Sequence, residues 1–106
     1  MLKSGVLGIS AGGRHTVACL DTGVHTFGYG GLGQLGHGGE ENELVPRVVE
    51  ALAGQKVVGA SAGGYHTAVW TEAGEVYTFG GGAFGLLGHG GEEGELVPRM
   101  VAVLRL

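Results

Sequence analysis

The chain has 106 residues, of which 25 are glycine and 43% are hydrophobic, so it suits one small folded domain better than a disordered tail. Its net charge is −4 and its six basic residues are scattered, which argues against direct contact with nucleic acid. A single cysteine excludes an internal disulfide or a cysteine-based zinc site. With no signal peptide and no long apolar run, we expect an intracellular protein, cytoplasmic or nuclear, without membrane contact.

The first half of the chain contains a short strand followed by a glycine-rich loop. Residues 24–27 (VHTF) are β-branched or aromatic apart from one histidine, which predicts a strand. The loop begins with GYGGLG, which matches the G-x-G-x-x-G fingerprint of dinucleotide-binding turns. That fingerprint needs a helix after it, and the three glycines within residues 36–39, each costing a helix about 1 kcal/mol, argue against one. We therefore predict turns here, with no bound cofactor.

The second half of the chain repeats the first. The sequence SAGGRHT at residues 10–16 returns as SAGGYHT at 61–67, and residues 26–47 return at 78–99 with 17 of 22 positions identical. This divides the chain into two repeat units, 1–51 and 52–106. In the second unit we predict strands at Val57–Ser61, His66–Thr71, Glu75–Phe79 and Val97–Val103.

Four short strands in a unit of this length are typical of a β-propeller blade. The sequence therefore predicts an all-β fold with two four-stranded propeller blades. A solenoid of β-strands is the structural alternative, although its repeats are usually shorter. Trp70 aligns with Cys19, and we predict that it packs in the core.

The order of motifs resembles the regulator-of-chromosome-condensation repeat. Each unit has Gly-x-His-Thr, then a strand ending in Phe-Gly, then Gly-x-Leu-Gly, and then a proline near the last strand; the second motif reads GQLG at 33–36 and GLLG at 85–88. The resemblance implies a seven-bladed propeller, in a family that includes a guanine-nucleotide exchange factor, ubiquitin-ligase scaffolds and a plant ultraviolet receptor. This chain has two repeats, so it is either part of a longer propeller or a homo-oligomer, a trimer or tetramer, that closes a ring.

Several repeated residues are predicted to have architectural roles. The histidines beside threonine are expected to hydrogen-bond the backbone rather than to bind metal or act as a base. The glycines are expected to supply turns with positive φ, and the prolines to mark the last strand of each blade. This structural set is His15, His66, Gly28, Gly80, Gly36, Gly88, Pro46 and Pro98. We predict no catalytic residue, metal or cofactor.

The positions that differ between the copies, and the acidic loops, are the candidates for a partner surface. Loops vary more freely than strands and often carry binding residues. The acidic loops offer a surface for a basic partner; the alternative is that they only keep an assembly soluble. The candidate surface is Arg14, Tyr65, Tyr29, Phe84, Glu40, Glu41, Glu43, Glu92, Glu93 and Glu95.

Three functions are open at the level of sequence. We favour a non-catalytic scaffold that binds a protein partner, because no nucleophile–base pair or phosphate-binding loop with lysine is present. The alternatives are an exchange-factor-like regulator of a small GTPase and an engineered or duplicated two-blade unit without a present partner. Light sensing is disfavoured, because Gly13 and Gly64 stand where the plant receptor has tryptophan.

Overall fold

The computed structural model describes residues 5–83 and 86–101, which form two four-stranded antiparallel sheets. Blade 1 contains β1 (Val6–Ala11), β2 (His15–Leu20), β3 (Gly23–Gly28) and β4 (Glu43–Val48). Blade 2 contains β5 (Val57–Ala62), β6 (His66–Thr71), β7 (Val76–Gly80) and β8 (Glu95–Met100). The strands pair in chain order, and a short 3-10 helix, Glu50–Leu52, lies between the blades. The predicted all-β fold of two four-stranded blades is confirmed.

The observed strand bounds differ from the predicted ones mainly in β8. It begins at Glu95, two residues before the predicted start, because Glu95 pairs with Gly80 across the ladder after a register shift. The structure ends β8 at Met100, and the predicted extension over residues 102–103 lies outside the described residues. The proline of each unit therefore lies inside the last strand of its sheet, where a missing N–H is tolerated.

The two blades pack face to face, and equivalent strands of the two blades bury opposite sets of alternating side chains. In β2 the buried residues are His15, Val17 and Cys19, whereas in β6 they are Thr67, Val69 and Thr71. Successive side chains of a strand point to opposite faces, so blade 1 and blade 2 each bury the face that meets the other. The shared core is Val17, Cys19, Val24, Val49, Leu52, Val57, Val69 and Phe79.

Trp70 lies outside this core, so its predicted core position is wrong. Its side chain is 41% exposed and points away from blade 1, because side chains alternate along β6 and those of Val69 and Thr71 are the ones that face blade 1. The indole covers Gly59 on the neighbouring strand, where an added Cβ would overlap the ring. The position equivalent to Trp70 in blade 1 is Cys19, which is fully buried.

The loops of both blades gather at one end of the sheets. The turn between the first two strands and the long loop between the last two strands emerge at the same end of each antiparallel sheet. We call this end the loop face; it comprises residues 12–14, 29–42, 63–65, 81–83 and 86–94. The tight turns at 21–22 and 72–75 lie at the other end. Among the described residues there is no helix with the length and hydropathy that crossing a membrane requires.

Candidate protein-interaction face

A threonine–histidine pair holds each glycine-rich loop on its sheet. Thr26 Oγ1 donates to the Leu35 carbonyl at 2.8 Å and lies 2.9 Å from His37 Nε2. A hydroxyl carries one proton, so Thr26 must accept a hydrogen bond from an Nε2–H of His37. Thr78 repeats the arrangement with the Leu87 carbonyl at 2.7 Å and His89 at 2.9 Å. Burial, reinforced by the charge of Arg47, lowers the pKa of His37.

His15 connects the two blades through a hydrogen bond to a threonine. Its Nε2 lies 2.7 Å from Thr67 Oγ1, which in turn donates to the Gln34 carbonyl at 2.8 Å. The predicted role was a bond to the backbone; the bond shown here goes to a side chain of the neighbouring blade. Burial lowers the pKa of His15; the His66 backbone, which favours the protonated imidazole, opposes this effect, and the charge of His66 adds to it. Within the part of the chain that the structure describes, no three acidic, histidine or cysteine side chains are grouped as metal ligands.

Gly28 and Gly80 lie at the points where the sheets enter the long loops. Their φ angles are +112° and +110°, a region that residues with a side chain rarely adopt. A Cβ on Gly28 would lie 2.7 Å from the Arg14 carbonyl oxygen. Gly36 and Gly88 also have positive φ, at +78° and +79°. These glycines shape the loops that carry the candidate surface.

Three of the candidate surface residues come together across the blade junction. The Arg14 guanidinium carbon lies 6.0 Å from the ring centroids of both Tyr29 and Tyr65. The two rings meet edge to face, with centroids 6.4 Å apart. Each cation–π contact at an exposed site contributes about 0.5–1 kcal/mol. Because Tyr29 and Tyr65 are exposed, this cluster presents aromatic surface and a positive charge to a partner.

The acidic loops of the two blades line a common groove. Glu40 of blade 1 and Glu92 of blade 2 border a depression of about 560 Å³, together with Leu32 and Leu96. Both leucine side chains are exposed. The groove therefore combines negative charge at its border with apolar surface, on the same end of the molecule as the arginine–tyrosine cluster.

The remaining glutamates of the candidate surface fall into two groups. Glu41 and Glu93 are exposed on the acidic loops. Glu43 and Glu95 lie in β4 and β8, where they form ion pairs with Arg47 at 2.6 Å and Arg99 at 2.8 Å. Exposed pairs of this kind contribute about 0–1 kcal/mol. Phe84, the last candidate, lies outside the described residues.

Some residues of this region were not singled out from the sequence. Ser10 accepts a hydrogen bond from the Ala62 N–H at 3.0 Å across the junction, and Gln34 is fully buried. Leu32 and Leu96 supply the apolar part of the groove. The available signal was their place inside repeated motifs, but a repeat alone does not tell whether a residue faces a groove or a neighbouring blade.

Comparison with known proteins gives a consistent result. The family model "Regulator of chromosome condensation (RCC1) repeat" matches residues 21–70 and 73–105. The human E3 ubiquitin-protein ligase HERC2 is 42% identical over 98 residues, which are 92% of this chain and 2% of the ligase. The Arabidopsis thaliana ultraviolet-B receptor UVR8 is 42% identical over 101 residues, 93% of this chain and 23% of the receptor.

A solved structure shows the same similarity in three dimensions. The crystal structure of human WBSCR16 superposes with a TM-score of 0.81 at 32% identity, over 92% of this chain and 26% of that protein. The chain thus spans a small part of each of these relatives. The two family matches start in the β2–β3 turn and in the equivalent β6–β7 turn, so their boundaries do not coincide with the units 1–51 and 52–106, which stay a prediction.

Proposed function

The chain belongs to the regulator of chromosome condensation (RCC1) repeat family, and from that premise we propose that its blades form a non-catalytic scaffold whose loop face binds a basic, partly apolar segment of another protein. The observation that carries this proposal is the groove between the acidic loops. It places Glu40 and Glu92 beside two exposed leucines. Lysine or arginine side chains would meet the carboxylates, and apolar side chains would cover the leucines.

The arginine–tyrosine cluster adds a second element to the proposed binding face. Arg14 and the two tyrosines come from three separate loops, yet their contacts hold them at one place on the loop face. Tyrosine and arginine are enriched among residues that dominate protein interfaces, because they bury much surface at low entropic cost. A partner that spans the groove and this cluster would contact both blades at once.

Binding of a labelled peptide of alternating lysine and leucine tests the proposal. We expect its fluorescence anisotropy to rise with the concentration of the chain, and more strongly at about 50 mM than at about 300 mM salt. The double variant Glu40→Gln, Glu92→Gln should weaken binding by a factor of about three to ten, since each exposed ion pair contributes up to about 1 kcal/mol.

The matched control is the double variant Asp21→Asn, Glu72→Gln. It removes the same number of charges from the tight turns at the other end of the sheets. Equal weakening by the two double variants would show that only net charge matters and would contradict a site in the groove. Regulation of a small GTPase stays a prediction, and accelerated release of labelled GDP from such a GTPase is its direct assay.

A further inference from the structure

Each blade packs one sheet face against the other blade and turns its opposite face outward. We call the outward face of blade 1 the first open face; it includes Val6, Ile9, Leu20 and Phe27. We call the outward face of blade 2 the second open face; it includes His66, Ala68 and Trp70. Val6, Ile9 and Trp70 are all exposed, and large apolar side chains of this kind are unusual on a sheet face in contact with water.

The two open faces are the counterparts of the two faces that are already buried against each other. Val6 is 63% exposed on the first open face, whereas its equivalent in blade 2, Val57, is 6% exposed. Leu44 is 95% exposed, whereas its equivalent Leu96 is 40% exposed. On the second open face Trp70 is partly exposed where Cys19 is buried. The internal repeat therefore produces one blade–blade junction inside the chain and leaves both halves of a second junction uncovered.

The polar groups of the existing junction are all available at the open faces. Inside the chain, His15 bonds Thr67, Thr67 bonds the Gln34 carbonyl, and Ser10 bonds the Ala62 N–H. Backbone bonds also run from Gly13 to Gly63 and from Gly38 to Leu96. At the equivalent positions the chain has these donors and acceptors: His66 with Thr16, Thr16 with Leu86, Ser61 with Ala11, Gly64 with Gly12, and Gly90 with Leu44.

We propose that the second open face of one copy of this chain binds the first open face of another copy. The contact reproduces the junction between blade 1 and blade 2, with His66 of one copy donating to Thr16 of the next. Such a head-to-tail contact uses two different surfaces, so it repeats from copy to copy until a ring closes. Two blades per chain give six blades from three copies or eight from four.

The apolar side chains at the two open faces are complementary in size. Compared with the buried junction, Ala68 and Ala18 replace Val17 and Val69 and so remove volume. Trp70 and Ile9 replace Cys19 and Ala60 and add volume. Each open face therefore has one side chain that is smaller and one that is larger than its equivalent in the buried junction. Arg99 shares the second open face because it pairs with Thr78, and it already forms an ion pair with Glu95, so closure buries no unpaired charge.

The mass in solution of the full 106-residue chain, measured by light scattering over a concentration series, tests the contact. We expect three or four times 10.7 kDa for the unmodified chain. Ile9→Glu places a carboxylate on the first open face and Trp70→Glu on the second, so each variant alone should be a monomer. Because each retains the face that the other has lost, an equimolar mixture should form a 1:1 dimer, which also shows that both variants fold.

Ala73→Glu is the control, since it adds the same charge in the exposed turn between β6 and β7 and should leave the mass unchanged. Three results would overturn the proposal. The first is a monomeric unmodified chain. The second is an Ile9→Glu variant that stays dimeric, which would mean that like faces pair. The third is a mixture of the two variants that stays monomeric. Both test substitutions lie in strands, Ile9 in β1 and Trp70 in β6, and leave the residues of the acidic groove unchanged, so the outcome is separable from peptide binding at the loop face.

Discussion

The burial of His15 at the blade junction makes the stability of the fold depend on pH. Burial lowers the pKa of this imidazole below the value of 6.5 that it has when exposed. The unfolded chain therefore binds a proton more readily than the folded one. We expect stability to be fully present above pH 6.5 and to be lost as pH falls from there toward the lowered pKa. His37 contributes in the same direction.

Urea unfolding at about pH 7.5 and about pH 5.5 measures this effect. His15→Asn should reduce the difference in unfolding free energy between the two conditions, because one of the buried titrating groups is gone. Thr67→Val is the control: it removes the hydroxyl that contacts His15 but leaves the imidazole, so it should lower stability at both pH values and keep the pH dependence. An unchanged pH dependence in His15→Asn would contradict the assignment.

Gly28 is a residue at which an added methyl group should be costly. Gly28→Ala combines a φ of +112° with a Cβ placed 2.7 Å from the Arg14 carbonyl oxygen. We expect a loss of about 2–4 kcal/mol in unfolding free energy, from backbone strain and overpacking together. Gly54→Ala is the matched control, because Gly54 has a φ of +86° but open space around its Cβ direction. It should lose about 1–2 kcal/mol; equal losses would show that the contact does not matter.

At the scale of the element, the threonine–histidine pair decides how firmly a glycine-rich loop is held. Thr26→Val keeps the shape of the side chain but removes the donor to Leu35 and the acceptor for His37. We expect a loss of about 1–3 kcal/mol and faster hydrogen exchange at the Gly33 and Gly36 amides, which lie in the turns of this loop.

Thr26→Ser should behave like the unmodified chain, because it keeps the hydroxyl. Thr78→Val supplies a second comparison inside the same molecule. It should accelerate exchange in residues 86–94 and leave residues 29–42 unchanged, since Thr78 bonds Leu87 and His89 in its own blade. Exchange rates that do not respond to Thr26→Val would show that the loop is held by other contacts.

The strands could be predicted from the sequence, but the buried face of each strand could not. His66–Thr71 was located to the residue, because six residues rich in β-branched and aromatic side chains lie between glycine-containing turns. The equivalent strand β2 nevertheless buries the opposite set of side chains. Burial depends on which side the neighbouring blade occupies, and two nearly identical repeats hold no local signal for that. The misplaced Trp70 follows from the same cause.

The candidate site was predictable to a similar extent. Arg14 and Tyr65 differ at an otherwise matched position of the two repeats, which predicts a place on the partner surface, and the structure brings both to Tyr29. Six glutamates looked alike in sequence, yet Glu43 and Glu95 are paired with arginines four residues later. That pairing depends on the start of β4 and β8, which the register with β3 and β7 determines and the composition of the loop does not.

At the scale of the whole molecule, two blades with uncovered faces should gain stability from their own concentration. If the open faces bind each other, unfolding is coupled to dissociation, and a higher protein concentration favours the folded ring. A tenfold increase in concentration contributes about 1 kcal/mol per chain for a trimer or tetramer. For a domain of this size that raises Tm by about 4–8 °C. Scanning calorimetry at three concentrations, each tenfold apart, measures the shift.

The double variant Ile9→Glu, Trp70→Glu blocks both open faces in one chain. Its Tm should be lower than that of the unmodified chain and should not change with concentration, because folding and unfolding then involve one molecule only. The turn variant Ala73→Glu should keep the concentration dependence. A Tm of the unmodified chain that is constant over the whole range would mean that the two blades fold without a partner copy, and that their apolar outer faces tolerate water.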